Sequence, residues 1–151
     1  MKLRKDEGII FEHSIKQNFP DNLTYVSAMG ENRYVAVGLQ NNIPFMIAFD
    51  NDGNLLQSSV ITTDLFPTFE GMDCTDSTCY ISIGGEIIMM DDTYHFSELS
   101  IDIDNFSKKA VVPYVFDNNL FVSLRSRSNL YTYYKEDPSG FNKKLFMPFA
   151  L

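Results

Sequence analysis

The chain has 151 residues, of which 44% are hydrophobic and 14% aromatic, and its formal net charge at pH 7 is −8. The apolar content is sufficient for a single folded domain over residues 1–151 and argues against a disordered chain. The negative charge argues against nucleic acid as a partner, because nucleic-acid affinity comes largely from Lys and Arg side chains that neutralise phosphates. No apolar stretch approaches the roughly 20 residues that a helix needs to cross a membrane, so we expect no membrane insertion.

The first seven residues bear on localisation. They read Met-Lys-Leu-Arg-Lys-Asp-Glu, so a basic start is followed at once by acidic residues. A secretory signal needs an apolar segment of about 7 to 15 residues at this place. If Met1 is the true start, the cytoplasm is therefore the expected location.

Strand patterns recur along the whole chain, and no segment has the apolar periodicity of a helix. Apolar runs return about every 8 to 12 residues with Gly, Asn, Asp and Pro between them, which is typical of all-β proteins. Three similar runs contain Tyr34, Tyr80 and Phe121, separated by steps of 46 and 41 residues. Such a step is the length of a four-stranded antiparallel unit repeated along a chain.

These patterns divide the chain into one short and three full units. We expect residues 8–16 to form an outer strand of an incomplete unit, and four-stranded units to span 24–61, 68–103 and 109–149. The strands predicted within the full units are 24–29, 34–39, 45–49, 55–61, 68–73, 79–83, 86–90, 95–103, 109–116, 120–124, 130–134 and 141–149.

The distribution of polarity within a unit predicts how its strands are covered. The middle strands, such as 34–38 and 45–49, are apolar at consecutive positions, which an antiparallel strand tolerates only when both faces of its sheet are covered. The fourth strand turns polar, as where Leu55-Leu56 gives way to Gln-Ser-Ser. We therefore expect the middle strands to lie between neighbouring sheets and the fourth strand to be partly in solvent.

The runs Tyr34–Gly38 and Phe45–Leu55 resemble blades of degenerate β-propeller repeats, in which a strand ends in Gly and an Asp-x-x-Gly-Asn turn joins the third and fourth strands. The second unit keeps Gly84-Gly85 but lacks the Gly-Asn turn, and the third unit has neither feature. The chain has no Trp, so the Trp-Asp signature of one large propeller family is absent. The resemblance covers about three blades and implies a scaffold for binding or assembly.

The expected fold class is thus all-β, with four-stranded antiparallel meanders that resemble propeller blades in an incomplete ring. A β-barrel or sandwich that closes on itself is the alternative. A closed propeller has at least four blades. About three blades therefore favour completion by protein partners, by self-association or by further sequence.

Cys74 and Cys79 are the two cysteines, and four polar residues typical of turns separate them. A hairpin with this loop places the two side chains opposite each other, so a disulfide between them is possible. Two reduced thiols are the alternative, and the absence of a signal segment favours them. An oxidised pair would indicate an extracytosolic compartment.

The segment Asp50-Asn51-Asp52-Gly53-Asn54 is the sharpest local motif. Asp50 and Asp52 are a candidate pair of calcium ligands, because carboxylates at alternate positions before a Gly can wrap the ion. The alternative is a hairpin turn in which Gly53 has a positive φ and Asp50 accepts backbone hydrogen bonds. No other metal or cofactor site is expected, and no nucleophile or phosphate-binding motif is present, so we predict that the chain is not an enzyme.

A cation and aromatic residues occur together in the third unit. Arg125, Tyr131 and Tyr133 are the candidate ligand contacts, since such side chains stack against sugars or bases. The leading functional hypothesis is a non-catalytic interaction or structural module in a larger assembly. A lectin-like module that binds a glycan is the alternative.

Overall fold

The computed structural model describes residues 2–4, 8–11, 22–64, 67–99, 111–125, 131–137 and 140–142, with side chains over 23–64, 67–99 and 112–123. Every regular element in these residues is a strand. None of them forms a helix long and apolar enough to cross a membrane. The strands are β1 (Lys2–Arg4), β2 (Gly8–Phe11), β3 (Asn22–Ala28), β4 (Arg33–Gln40), β5 (Ile43–Asp50), β6 (Leu55–Val60), β7 (Phe69–Cys74), β8 (Thr78–Ile83), β9 (Glu86–Asp91), β10 (Phe96–Leu99), β11 (Val111–Phe116), β12 (Asn119–Arg125), β13 (Tyr131–Asp137) and β14 (Gly140–Asn142).

The strands form three four-stranded antiparallel sheets in which spatial order follows chain order. Sheet 1 contains β3 to β6, sheet 2 contains β7 to β10, and sheet 3 contains β11 to β14. The predicted all-β class is confirmed, and each of the twelve predicted strands overlaps one of these strands. Among the described strands, no sheet closes into a barrel.

The N-terminal segment differs from the single strand expected at residues 8–16. Its described part, β2, pairs antiparallel with β1, and residues 12–16 lie outside the described residues. The sequence prediction missed β1 because its three residues, Lys2–Arg4, are mostly charged.

Tight turns connect several strands because their residues accept a positive φ. Two-residue turns of this kind match the twist of the strands they join, and they favour Asn, Asp and Gly at both positions. Three turns have both central residues at positive φ: Asn41 and Asn42 (51° and 62°), Gly84 and Gly85 (58° and 82°), and Asp117 and Asn118 (49° and 59°).

Sheet 2 has an apolar core on each of its two faces. On one face, side chains such as Cys79, Ile81 and Met90 share a core with Val35 and Met46 of sheet 1. On the other face, Tyr80 and Ile87 share a core with Leu120 and Val122 of sheet 3. Successive residues of β8 therefore serve opposite cores, as the consecutive apolar positions predict.

The fourth strands are more exposed to solvent than the middle strands, as expected. In sheet 1, β4 is buried at four consecutive central positions, whereas β6 is exposed at five of its six residues. In sheet 2, β8 is buried at five of its six residues, whereas β10 has no fully buried residue.

Asp73 on β7 joins the first strands of all three sheets. Its Oδ1 accepts hydrogen bonds from Ser27 Oγ on β3 (3.3 Å) and from the Cys74 backbone N–H (3.0 Å). Its Oδ2 accepts a hydrogen bond from the Val115 backbone N–H on β11 (2.7 Å). The first strands β3, β7 and β11 are therefore neighbours in a row.

Candidate interaction surface

Sheet 1 turns one face towards sheet 2, and we call the opposite face the outer face of sheet 1. Cross-strand register assigns residues to it, since directly opposed residues lie on the same face. Val26, Ala36, Ile47 and Ser58 form one such row across the four strands. Its other described residues are Leu23, Ala28, Tyr34, Gly38, Gln40, Ile43, Phe45, Phe49, Leu55 and Val60.

No charged residue is among these fourteen, and five large aliphatic side chains around its centre are exposed. Ala36 and Ile47 at its centre are buried, and the rings of Tyr34 and Phe49 stack with centroids 5.6 Å apart. Around them, large aliphatic side chains are exposed: Leu23 by 52%, Val26 by 61%, Ile43 by 49%, Leu55 by 41% and Val60 by 53%. Several exposed apolar side chains on one face are a feature of interaction sites.

Sheet 3 likewise has a face turned away from sheet 2, which we call the outer face of sheet 3. Tyr114 and Phe116 of β11 lie on it and are 50% and 75% exposed, whereas Val115 between them packs towards sheet 2. Phe121 is the cross-strand partner of Tyr114, and Ser123 follows on the same face. Sequence reasoning missed Tyr114 and Phe116, because β11 is apolar at nearly every position and its pattern does not separate the two faces.

The predicted ligand contacts fall on this outer face of sheet 3 by register. Arg125 is opposite Tyr131, and Ser123 is opposite Tyr133. Alternation along β12 and β13 therefore places these three residues on one face of the sheet. Their side chains lie outside the described part of the chain.

The motif proposed for calcium forms the predicted hairpin turn. Asp50 Oδ1 accepts hydrogen bonds from the backbone N–H groups of Asp52 (2.9 Å) and Asn54 (2.8 Å), and Oδ2 accepts one from Asn54 Nδ2 (2.9 Å). Gly53 has a φ of 84°. The hydrogen bond from the Asn54 side chain, followed by those from the backbone, lowers the pKa of Asp50. Both carboxylate oxygens of Asp50 therefore accept hydrogen bonds within the turn.

A second turn with the same backbone pattern joins β9 and β10. Asp91 Oδ1 accepts hydrogen bonds from the Thr93 N–H (2.9 Å), the Thr93 hydroxyl (2.7 Å) and the His95 N–H (3.0 Å). Tyr94, at a φ of 68°, takes the place that Gly53 has in the first turn. Hydrogen bonds from the His95 backbone and the Thr93 side chain lower the pKa of Asp91. Sequence reasoning missed this equivalence because Tyr stands where Gly is expected, although an Asp recurs 41 residues after Asp50.

The Asp91 turn also brings a hydroxyl and an imidazole together, with Thr93 Oγ1 and His95 Nδ1 2.7 Å apart. The His95 side chain is 82% exposed. The Asp50 turn has the same backbone pattern with neither Thr nor His, so the pattern does not depend on this pair. Across the described residues, no group of three or more His, Cys, Asp or Glu side chains is placed to hold a metal ion.

A cleft of about 360 Å³ lies between the chain after β6 and strands β9 and β10 of sheet 2. Its walls are mixed, with Ile88 and Phe96 beside the carboxylates of Asp64 and Glu98. The volume suits a small molecule. The described lining also contains the hydroxyls of Thr62, Thr63 and Ser97.

Cys74 and Cys79 are directly opposite each other on β7 and β8 and form a disulfide, which is one of the two alternatives that the sequence left open. The four-residue loop between them reaches both neighbouring sheets. The Asp76 N–H donates to Asn118 Oδ1 in the first turn of sheet 3 (3.3 Å). On the other side, a Cβ at Gly30 would lie 3.4 Å from the Asp76 carbonyl oxygen. The disulfide therefore supports a loop that packs between turns of sheets 1 and 3.

Comparison with known proteins does not assign this chain to a family. No protein-family model matches it, and no curated protein or solved structure matches it significantly. Its function therefore has to be inferred from its own surfaces.

Proposed function

We propose that this chain is a non-catalytic interaction or structural module, a propeller-like stack of sheets that acts as a subunit of a larger assembly. The outer face of sheet 1 is the observation that carries the proposal. Although 21% of the residues are charged, this face has none, and five of its large aliphatic side chains are more than 40% exposed. Covering such a surface is favourable by about 25 cal/mol for each Å² of apolar area removed from water.

The row of first strands supports the propeller-like part of the proposal. Blades of a propeller are four-stranded antiparallel sheets arranged radially, so that their first strands surround a common axis. Here β7 packs against β3 on one side and β11 on the other, and Asp73 binds to both. The two Asp turns, 41 residues apart, add a local repeat to the repeat of strands.

The hydrogen bonds that three carboxylates accept within the chain support the non-catalytic part of the proposal. Asp50 and Asp91 hold turns through several hydrogen bonds each, and Asp73 holds strands of three sheets together. A catalytic acid or base needs a carboxylate that faces a substrate, and these three face donors of the chain itself.

The test compares the native size of the chain before and after a charge is placed on the outer face of sheet 1. A tagged chain in an extract of the cells that produce it should elute in an assembly larger than its own mass of 17.3 kDa. A variant with Val26→Glu and Val60→Glu should elute alone, because burying two carboxylates is costly. Gln57→Glu is the matched control, since Gln57 is exposed on β6 but lies on the opposite face.

Two results would contradict the proposal. One is a chain that elutes alone in the extract in its unmodified form. The other is enzymatic turnover that copurifies with the chain and disappears in a variant of one of its own carboxylates.

A glycan-binding function is the second candidate, and the outer face of sheet 3 favours it. Tyr114 and Phe116 are exposed there, on the face that register also assigns to Tyr131, Tyr133 and Arg125. Exposed aromatic rings beside a cation are the usual contacts of sugars. On a glycan array, Tyr114→Ala and Tyr131→Ala should each weaken binding at least tenfold, while Leu56→Ala on sheet 1 should not. Absence of binding to every glycan would remove this candidate.

A further inference from the structure

We propose that the cleft between residues 61–64 and strands β9 and β10 is a binding site for a small organic cation, an amine or guanidinium group on an apolar body. The charged group of the ligand lies between Asp64 and Glu98, and its apolar body lies against Ile88 and Phe96. The cleft is on the side of sheet 1 that faces sheet 2, so it is separate from the surface that carries the proposed function.

The cleft lies where sheets 1 and 2 are no longer in close contact. Among the strands of these two sheets, the backbones approach most closely at the first strands, β3 and β7. There, Ser27 Oγ donates a hydrogen bond to Asp73 Oδ1 (3.3 Å). At the opposite side, beside the fourth strands, a space of about 360 Å³ remains. A space of that size is within the range of small-molecule sites.

The floor of the cleft is apolar and is held by the core. Ile61 and Ile88 are 2% and 6% exposed and belong to the core between sheets 1 and 2, and Phe96 packs against that core. The Ile61 backbone N–H donates a hydrogen bond to the Pro44 carbonyl oxygen (2.8 Å), which fixes the first residue after β6 to β5. The floor is therefore formed before a ligand binds, as is usual for small-molecule sites.

The rim of the cleft is acidic. Glu98 is directly opposite Ile88 on the neighbouring strand, so its side chain lies on the face of sheet 2 that turns to sheet 1. Asp64 lies on the other wall, in the chain after β6. Both residues are exposed, and neither carboxylate has a hydrogen-bond or ion-pair partner among the described residues. The carboxylates of the two Asp turns, by contrast, accept hydrogen bonds from their own turns.

The composition of this lining favours an organic cation over other ligands. The described lining has two carboxylates and neither Lys nor Arg, so it attracts a cation and repels an anion. The net charge of the whole chain, −8, adds a long-range attraction for cations. A metal ion fits less well, because Ca²⁺ needs six to eight oxygen ligands and the floor offers aliphatic and aromatic carbon. An apolar body uses that floor, and the ring of Phe96 also suits a neighbouring cation.

Titration of the isotope-labelled full-length chain with benzylamine, followed by two-dimensional NMR of the amide groups, tests this assignment. Benzylamine carries an ammonium group on an aromatic body, and benzyl alcohol is a neutral analogue of nearly the same shape. We expect saturable shifts at residues 61–64, 88 and 96–98. The Kd should be about 1 to 10 mM for so small a ligand. Benzyl alcohol should bind at least about fivefold more weakly, because it forms no ion pair.

Asp64→Asn and Glu98→Gln should each raise the Kd for benzylamine about three- to fivefold, as is typical of an exposed ion pair. Glu31→Gln is the matched control and should leave the Kd unchanged. It removes the same charge from an exposed residue in the turn before β4, at the end of sheet 1 remote from Pro44. The three substituted residues are exposed, so circular dichroism should show the unmodified spectrum for each variant.

Four results would overturn the proposal. One is the absence of saturable shifts at these residues up to about 50 mM benzylamine, well above the expected Kd. Equal binding of benzylamine and benzyl alcohol would show an apolar pocket without preference for a cation. An unchanged Kd in both carboxylate variants, or an equal rise in Glu31→Gln, would show attraction by net charge alone. Displacement of benzylamine by a lower concentration of calcium chloride would assign the cleft to a metal ion.

Discussion

Replacing Asp73 tests whether one carboxylate holds the three sheets in register. In Asp73→Ala, the N–H of Val115 loses its acceptor at 2.7 Å, and the Cys74 N–H loses one at 3.0 Å. The hydroxyl of Ser27, at 3.3 Å, can turn to water, so its loss counts for little. A hydrogen bond to a charged group contributes about 1.5 to 3 kcal/mol, and a buried donor without a partner costs about 1 to 3 kcal/mol. Asp73 is only partly buried, so we expect a total loss of about 2 to 4 kcal/mol.

Urea unfolding at pH 7, followed by circular dichroism, measures this loss. With a denaturant slope of about 2 kcal/mol per molar urea, the midpoint should fall by about 1 to 2 M. The urea midpoint of Asp73→Asn should fall less, because the amide side chain keeps one acceptor oxygen. Asp76→Ala is the control, since among the described contacts this exposed residue is bound through its backbone, and it should stay within about 0.5 kcal/mol of the unmodified chain. Equal effects of Asp73→Ala and Asp76→Ala would refute the assignment of Asp73 as a tie between sheets.

Three further predictions concern stability. The disulfide joins cysteines five residues apart in sequence, and its reduction should lower the free energy of unfolding by roughly 2 kcal/mol. Dithiothreitol should therefore lower the urea midpoint of the unmodified chain but not that of a variant with both cysteines replaced by alanine. Asp50 has a lowered pKa in the folded chain through its hydrogen bond from Asn54, so its carboxylate stabilises the fold above the ordinary value of 3.8. That contribution is lost as pH falls through the lowered pKa, so the difference in midpoint between the unmodified chain and Asp50→Asn should shrink as the pH is lowered below 3.8; a difference that grows on acidification would contradict it. Gly71→Ala would place its Cβ 3.0 Å from Val112 Cγ1, so the crowding of β7 against β11 should cost about 1 to 3 kcal/mol by the same assay, and an unchanged midpoint would show that β11 can move away.

The strands were predictable because the local signals agree. Apolar runs, Gly and Asn at turns, and polar fourth strands indicate the same division of the chain, and the structure has a strand wherever one was expected in the full units. Hydrogen bonds between distant elements had no such local signal. The partners of Asp73 lie 46 and 42 residues away, and nothing in the sequence around it distinguishes it from a surface aspartate on a strand.

The Asp91 turn shows how a local signal fails when one residue changes. Gly53 accepts a positive φ without cost, so its turn is visible in the sequence. Tyr94 adopts nearly the same φ, which is uncommon for a bulky residue. Two contacts from Arg33 of sheet 1 accompany it, a hydrogen bond to the Tyr94 hydroxyl (3.4 Å) and a position over its ring (5.6 Å). Contacts between sheets 1 and 2 thus favour a backbone conformation that is uncommon for Tyr.

The exposed apolar side chains of sheets 1 and 3 were beyond prediction for a different physical reason. In β4, Val35 faces a core and Ala36 faces outward, yet both are small apolar side chains on one strand. Sheets 1 and 3 have strands like those of sheet 2, with apolar residues on both faces, so the sequence does not reveal which face is covered. Among the described residues, sheet 2 shares a core with a neighbour on each side, whereas sheets 1 and 3 each share one core with sheet 2. The similarity of the repeated strands therefore conceals from sequence analysis which apolar side chains are exposed.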